Sequence, residues 1–185
     1  MRVVVVLLAV VVGLGLVVVL VGFMLPVKHE ARVSAVIPAT PEAVWATLTD
    51  VAAYPKWRGD VASVGMLPAD SGHVAWREQG KNGAISYIIE EAEPPRRLVT
   101  RLTDTSLPFG GAWEYVVTPD GPGSRVRITE HGEVYNPVFR FVSRFIMGHT
   151  ATASAYLKAL GARFGATVVP EVANGGGGVR RDDRL

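Results

Sequence analysis

At 185 residues the chain is long enough for one domain with a substantial core and too short for two ordinary ones. Its 19 basic and 17 acidic residues leave a net charge of +2, and the basic residues are scattered, so nucleic acid finds no concentrated footprint. The absence of cysteine excludes disulfides, thiol nucleophiles and thiolate metal sites; the four histidines, at 29, 73, 131 and 149, lack zinc-motif spacing, so no metal or cofactor is expected.

The hydrophobic fraction of 49% is concentrated at one end. From position 3 to position 25 the chain runs 23 residues without a charge, mostly Val, Leu and Gly. As a helix this stretch is about 34 Å long, against a hydrocarbon core of roughly 30 Å. A core helix of a soluble protein would show polar residues on one face, and none occur. A cleaved signal peptide has an apolar region of roughly 7–15 residues and a small-residue cleavage site. Here the run is longer and continues into Phe23-Met24-Leu25-Pro26-Val27-Lys28, which has no such site. Residues 1–27 are therefore expected to form an uncleaved single-pass transmembrane anchor, meeting the membrane through residues 3–25. Arg2 lies on one side and Lys28 and Arg32, offset by Glu30, on the other, so the flanking charges set no strong orientation. The short leading segment favours a following domain on the extracytoplasmic side.

After Pro26 the composition becomes that of an ordinary globular domain. Residues 32–37 alternate, with Val33, Ala35 and Ile37 on one face, which predicts a strand. Pro38-Ala39-Thr40-Pro41-Glu42 then starts a helix: Thr40 supplies a capping oxygen, Pro41 fits the first turn and Glu42 complements the helix dipole. Val44, Trp45, Leu48 and Val51 follow at helical spacing. Ala52-Ala53-Tyr54-Pro55-Lys56-Trp57 predicts a second short helix broken at its proline. Six strands are expected next, at 60–67, 73–79, 84–92, 97–104, 112–118 and 125–135, with turn signals such as Lys81-Asn82-Gly83 and Pro119-Asp120-Gly121 between them. Links this short favour an antiparallel meander. Asn136-Pro137 opens a helix ending near Gly165, with Val138, Phe141, Val142, Phe145, Ile146, His149, Ala153, Tyr156, Leu157, Leu160 and Phe164 on one stripe. As a single rod it would be about 40 Å long. Residues 166–185, with their glycine run, are expected to be a flexible tail.

The order of elements resembles the helix-grip fold of the START-like, or SRPBCC, superfamily. Val36-Ile37-Pro38-Ala39-Thr40-Pro41-Glu42-Ala43-Val44-Trp45, followed by Asp50, Tyr54-Pro55 and Trp57, looks like the opening of its polyketide cyclase/dehydrase-like members. Pro94-Pro95-Arg96-Arg97-Leu98, Gly111-Ala112-Trp113 and Thr129-Glu130-His131-Gly132-Glu133 fit as well. The resemblance covers about residues 31–165. It implies an α+β domain in which a curved antiparallel sheet of about seven strands wraps a long C-terminal helix around an apolar cavity. It implies a hydrophobic small molecule or lipid as partner. It does not name a reaction, because the superfamily includes lipid carriers, receptors and aromatase/cyclases.

Strand parity selects the residues that would line such a cavity. Val126, Ile128, Glu130 and Gly132 share one face of the last strand. Trp113, Tyr115 and Val117 form a second set, Ile85, Tyr87 and Ile89 a third, and Val74, Trp76 and Glu78 a fourth. From these and the helix stripe, the candidate ligand contacts are Trp76, Glu78, Tyr87, Trp113, Tyr115, Ile128, Glu130 and Ile146. Glu78 and Glu130 are the inward carboxylates that acid/base chemistry would use, though nothing in the spacing brings them together. His131 has the opposite parity from Glu130, and His149 reads as a hydrogen-bonded core residue. The favoured reading is a membrane-anchored, non-enzymatic carrier of an apolar ligand. A cyclase or dehydratase, and an interaction module with a filled core, are the alternatives.

Overall fold

The computed structural model describes residues 2–70, 72–81 and 83–173. Helix α1 (Arg2–Met24) leads into β1 (Lys28–Ile37), then α2 (Pro41–Thr49) and a 3-10 turn (Val51–Lys56). Strands β2 (Val61–Asp70), β3 (His73–Gly80), β4 (Gly83–Glu93), β5 (Arg97–Leu102), β6 (Phe109–Asp120) and β7 (Gly123–Val134) follow. Helix α3 (Pro137–Val142), a π turn (Ser143–Met147), α4 (Ala151–Arg163) and β8 (Glu171–Ala173) complete the order. The strands make one curved antiparallel sheet in the order β2-β3-β4-β5-β6-β7-β1-β8.

Six strands in meander order match the alternation and turn signals of the sequence. Closure comes from β1, which pairs with β7 over its whole length, Val33 opposite Ile128 and Ala35 opposite Val126. The inward parity of β1, β6 and β7 supplies Val33, Ala35, Ile37, Tyr115, Val117, Val126 and Ile128, all buried in one cluster with Ala153, Tyr156, Leu157 and Leu160 of α4. Helix α2 closes the same core with Val44 and Leu48, both fully buried, while Trp45 packs at its margin, half-buried. Its start forms as capping chemistry dictates: the Thr40 side chain accepts from the Ala43 N–H and Pro41 occupies the first turn. The short segment broken at Pro55 is a single 3-10 turn. The Tyr54 hydroxyl donates to the Leu48 carbonyl at 2.7 Å and ties this turn back to α2.

Two expectations are corrected. The C-terminal helix is not one rod of about 40 Å. It is interrupted at Gly148, whose φ of 73° and ψ of 152° suit glycine and strain a side chain. Only the second half, α4, carries the buried stripe; Val138, Phe145 and Ile146 of the first half are exposed. Apolar spacing continued across the break, so periodicity alone read it as one helix. Second, part of the expected tail is structured: residues 171–173 pair with 32–34 as β8 and make an eighth strand on the edge of β1. The remainder of that tail, 174–185, lies outside the described residues.

Leu48→Ala deletes a fully buried side chain between α2 and the sheet. It is expected to cost about 2–5 kcal/mol of unfolding free energy. Trp45→Ala, at a half-buried position, should cost less. Denaturant unfolding of both variants measures the difference.

Candidate functional site

The inner face of the sheet is aromatic at its centre and polar at two ends. At the centre, Tyr156 of α4 meets Trp113 and Tyr115 of β6, with ring centroids 6.0 and 5.6 Å away. Trp57 packs on it edge-on at 5.4 Å, and Tyr54 stands edge-on at 6.4 Å. Edge-to-face contacts of this kind let large rings fill space without stacking face to face. Burial holds the Tyr115 and Tyr156 phenols well above their ordinary pKa and pushes Tyr54 up to about 12. All three therefore stay protonated near neutral pH and act as hydrogen-bond donors.

At one end a charge is buried among these rings. The Arg58 guanidinium donates to Glu78 Oε1 at 3.0 Å and to both oxygens of Asp60 at 3.3 and 2.6 Å. The Arg58 and Glu78 side chains are only 11% and 9% exposed. The guanidinium carbon stands 5.0 Å from the Tyr54 ring centroid and 5.1 Å from that of Tyr156, within cation–π range. Burial opposes the Arg58 charge, but the bond to Asp60 and the charge of Glu78 outweigh it and hold its pKa above the ordinary value. Glu78 Oε1 also accepts from Trp76 Nε1 at 3.1 Å, and Trp76 stacks on Tyr87 at 5.4 Å. Burial, with the nearby Glu78 charge, raises the Tyr87 phenol pKa too.

The other end is where the C-terminal helix breaks. The His29 and His149 rings stack at 3.8 Å and 27°. His29 Nε2 lies 3.4 Å from Glu130 Oε1 but off the line of a hydrogen bond, so this nitrogen is buried without a hydrogen-bond partner. His149 Nδ1 is 3.2 Å from the Ser143 hydroxyl. Burial and the His29 charge lower the His149 pKa. Gly132, opposite His29 in the β1–β7 pair, leaves room for that ring: a Cβ there would collide with it. On the outer face, by contrast, a recess of about 670 Å³ is lined by Arg97, Arg101, Glu90, Glu91 and Glu114. Those groups pair with one another, Arg97 with Glu91 and Glu114 and Arg101 with Glu90, and leave little for an apolar ligand.

Residues 28–165 match the family model described as polyketide cyclase / dehydrase and lipid transport. The chain belongs to this family. Solved structures with the same fold include the di-domain ARO/CYC BexL, at 15% identity and a TM-score of 0.61, with 76% of this chain and 51% of that one covered. This chain thus spans about half the length of that di-domain protein. TTHA0849 from Thermus thermophilus is similar at 22% identity and TM-score 0.61 over 74% of this chain and 97% of that one. Norcoclaurine synthase from Thalictrum flavum is similar at 12% identity and TM-score 0.58 over 74% and 86% of the two chains. At these identities the structures share the fold. No curated protein matches the chain in sequence.

Within this family fold, the residues singled out from sequence fall into three groups. Trp76, Glu78 and Tyr87 meet around Arg58. Trp113, Tyr115 and Ile128 lie at the centre, Tyr115 directly opposite Ile128 in the β6–β7 pair. Glu130, opposite Trp113, belongs to the histidine end. Glu130 and Glu78 stand four strands apart, about 19 Å measured along the sheet, so the two carboxylates do not form a pair. Ile146 is a correction: it projects from the π turn, 72% exposed, because Gly148 turns that segment away from the core. Sequence reasoning missed Arg58, whose partners lie 2 and 20 positions away, and the His29–His149 stack. A charged residue directly after the Tyr-Pro-x-Trp element was the available signal for the first.

Removing one partner of a buried ion pair strands the other. Arg58→Met is expected to cost roughly 3–5 kcal/mol, and the double change Arg58→Met with Glu78→Leu clearly less than that. A double-mutant unfolding cycle measures this. The lowered His149 pKa makes a second prediction. An unfolded imidazole takes up its proton near pH 6.5, the folded one only at lower pH. The His149 contribution to stability is therefore present above about pH 6.5 and lost as pH falls through the folded pKa. The loss of stability between pH 7.5 and 5 should be smaller in His149→Gln than in the parent, as read from denaturant midpoints.

Proposed function

We propose that this protein is a membrane-anchored binding protein for a hydrophobic small molecule or lipid, held between the sheet and α4. One observation carries the reading. Trp57, Tyr87, Ile89 and Trp113 line the inner, aromatic face yet are only partly buried, whereas Ile128 and Leu157 beside them are fully buried. A filled core would cover both sets alike, so an apolar guest gains area from rings already facing inward. Trp57 Nε1 adds a polar contact: it is buried with no hydrogen-bond partner and so is a free donor for a ligand oxygen. The family description, which includes lipid transport, supports the same reading. The anchor is α1, whose 23 residues suffice to cross a bilayer and whose most apolar 18-residue stretch has a mean hydropathy of 3.4 with none of it buried.

A cyclase or dehydratase is the second reading, favoured by the convergence of Arg58 with the Tyr54 and Tyr156 hydroxyls, 3.5 Å apart. The Tyr54 proton is committed to the Leu48 carbonyl, so Tyr156, turned from Tyr54 to a guest, would be the donor to a carbonyl oxygen, and the guanidinium would stabilise negative charge there. The two readings separate by product: a carrier returns its ligand unchanged, whereas a cyclase or dehydratase converts a polyketone chain to an isomer or a dehydrated ring.

The test uses the full chain in lipid nanodiscs, titrated with a fluorescent hydroxylated polyaromatic probe against empty nanodiscs. Specific binding above the empty discs is expected. Trp57→Phe, which removes only the indole N–H and part of the ring, should weaken it about 5- to 10-fold. The outer-face variant Glu114→Gln should leave it unchanged. Binding no greater than that of empty discs sinks the carrier reading.

A further inference from the structure

The segment 137–147 exposes more apolar surface than its place in a folded body explains. Phe145 is 58% and Ile146 72% exposed, although both sit at helical spacing with Phe141 and Val142. Large apolar side chains left together on a surface mark a contact with something apolar. What that contact is follows from where the segment lies. Helix α3 packs against the carboxyl-terminal turns of α1, where Val18, Val19 and Val21 are half-buried and Gly22 is buried. Gly22 approaches the Pro137 backbone so closely that a Cβ would not fit. Arg140 Nη1 donates to the Leu25 carbonyl at 2.8 Å and fastens α3 to the end of α1. A 23-residue helix is about 34 Å long, so positions 18–24 lie within about 10 Å of its carboxyl end. A segment packed there shares the depth of the acyl–headgroup boundary of a bilayer that α1 spans.

The charges agree with that depth. Arg144 is exposed, and the Lys28 ammonium, on a side chain 82% exposed, stands 3.6 Å from Glu133 at the surface. Among the described residues neither Arg140 nor Arg144 has a carboxylate partner. A cleft of about 330 Å³ opens beside Leu25, at the level where α1 ends, between Lys28, His29, Arg140, Arg144 and His149, with Glu30 as its one carboxylate among the described residues. Apolar side chains on one side of a short helical segment with basic ones beside them are the pattern of an interfacial, anionic-lipid-binding element.

Resting on the reading of α1 as an anchor, we propose that segment 137–147 is a second membrane contact, seated in the headgroup boundary of an anionic bilayer. Phe145 and Ile146 enter the lipid, and Arg144 and Lys28 lie among the headgroups. The cleft beside His29 and His149 then opens onto the headgroup layer, so an apolar ligand dissolved in the bilayer reaches the inner face of the sheet without crossing bulk water.

The cysteine-free sequence makes the test direct. The full chain carries a nitroxide at one introduced cysteine, Leu14→Cys, Val36→Cys or Ile146→Cys, in nanodiscs of mixed phosphatidylglycerol and phosphatidylcholine. Saturation measurements then compare accessibility to oxygen, which partitions into lipid, with accessibility to a water-soluble nickel chelate. Position 14 lies mid-helix in α1. Position 36, exposed near the far end of β1, is about 26 Å of strand from Lys28. The oxygen-to-nickel ratio at 146 is expected to be several-fold above that at 36 and to approach that at 14. A lipid-like ratio at 14 with a water-like ratio at 146 overturns the second contact and leaves the anchor standing. Low accessibility at 146 to both reagents overturns it too, because protein, such as a second copy, then covers the segment. A water-like ratio at 14 removes the anchor and the inference with it. A ratio at 146 that is the same in pure phosphatidylcholine overturns the headgroup half of the proposal.

Discussion

A guanidinium beneath an antiparallel sheet must keep its countercharge within hydrogen-bond reach, because burial without one costs several kcal/mol. Arg58 meets that demand with two carboxylates supplied by different parts of the chain, Glu78 from β3 and Asp60 from its own loop. The requirement fixes more than the pair. It sets the rotation of the 3-10 turn at 51–56, since Tyr54 must lie under the guanidinium while its hydroxyl reaches the Leu48 carbonyl. It orients β3, since the Glu78 oxygen that accepts from Arg58 also accepts from Trp76, and Trp76 stacks on Tyr87 of β4. It reaches α4 through the Tyr156 ring. One charge thereby couples the helical layer to the sheet at the end farthest from the β1–β7 seam.

The interruption at Gly148 divides the C-terminal helical region between two environments. Beyond it, Ala153, Tyr156, Leu157 and Leu160 are buried against the sheet, as the helix-grip arrangement requires. Before it, α3 lies beside α1, and Phe145 and Ile146 of the π turn are exposed. The His29–His149 stack sits at the junction. Burial first, and the neighbouring imidazole second, disfavour a proton on His149. The Ser143 hydroxyl, on the near side of the break, holds His149 on the far side, so the two halves are linked through a side chain where the regular backbone ladder is lost.

Much of the fold was legible because strand alternation, turn residues and helix caps are local signals. Thr40 and Asn136 both cap as their side-chain chemistry dictates, and the six central strands fall where the turns bound them. Parity also carried Glu78, Tyr115 and Ile128 to the inner face. What parity lacks is the partner: Glu78 points inward because Arg58 is there to meet it, and no periodicity encodes a contact across 20 positions. Ile146 was misplaced for a different reason. Its spacing records an apolar environment, and burial in protein and exposure to lipid leave the same mark on a sequence.

That ambiguity bears on how a carrier of this shape would work. The inner face runs from the Arg58–Glu78 pair, through the aromatic centre, to Glu130 and the histidines, on the order of 19 Å along the sheet. Its middle offers area without direction, and its ends offer direction with little area. A long apolar molecule with a polar terminus would gain affinity from the rings and orientation from whichever end satisfied its polar group. At the Arg58 end the charges already satisfy one another, so a guest must compete for them. At the histidine end His29 Nε2 is buried and unbonded, and the cleft toward α1 opens beside it. A polar terminus therefore meets the lower barrier at the histidine end, which places the apolar remainder against Trp113 and Tyr156 and leaves the ion pair to its structural task.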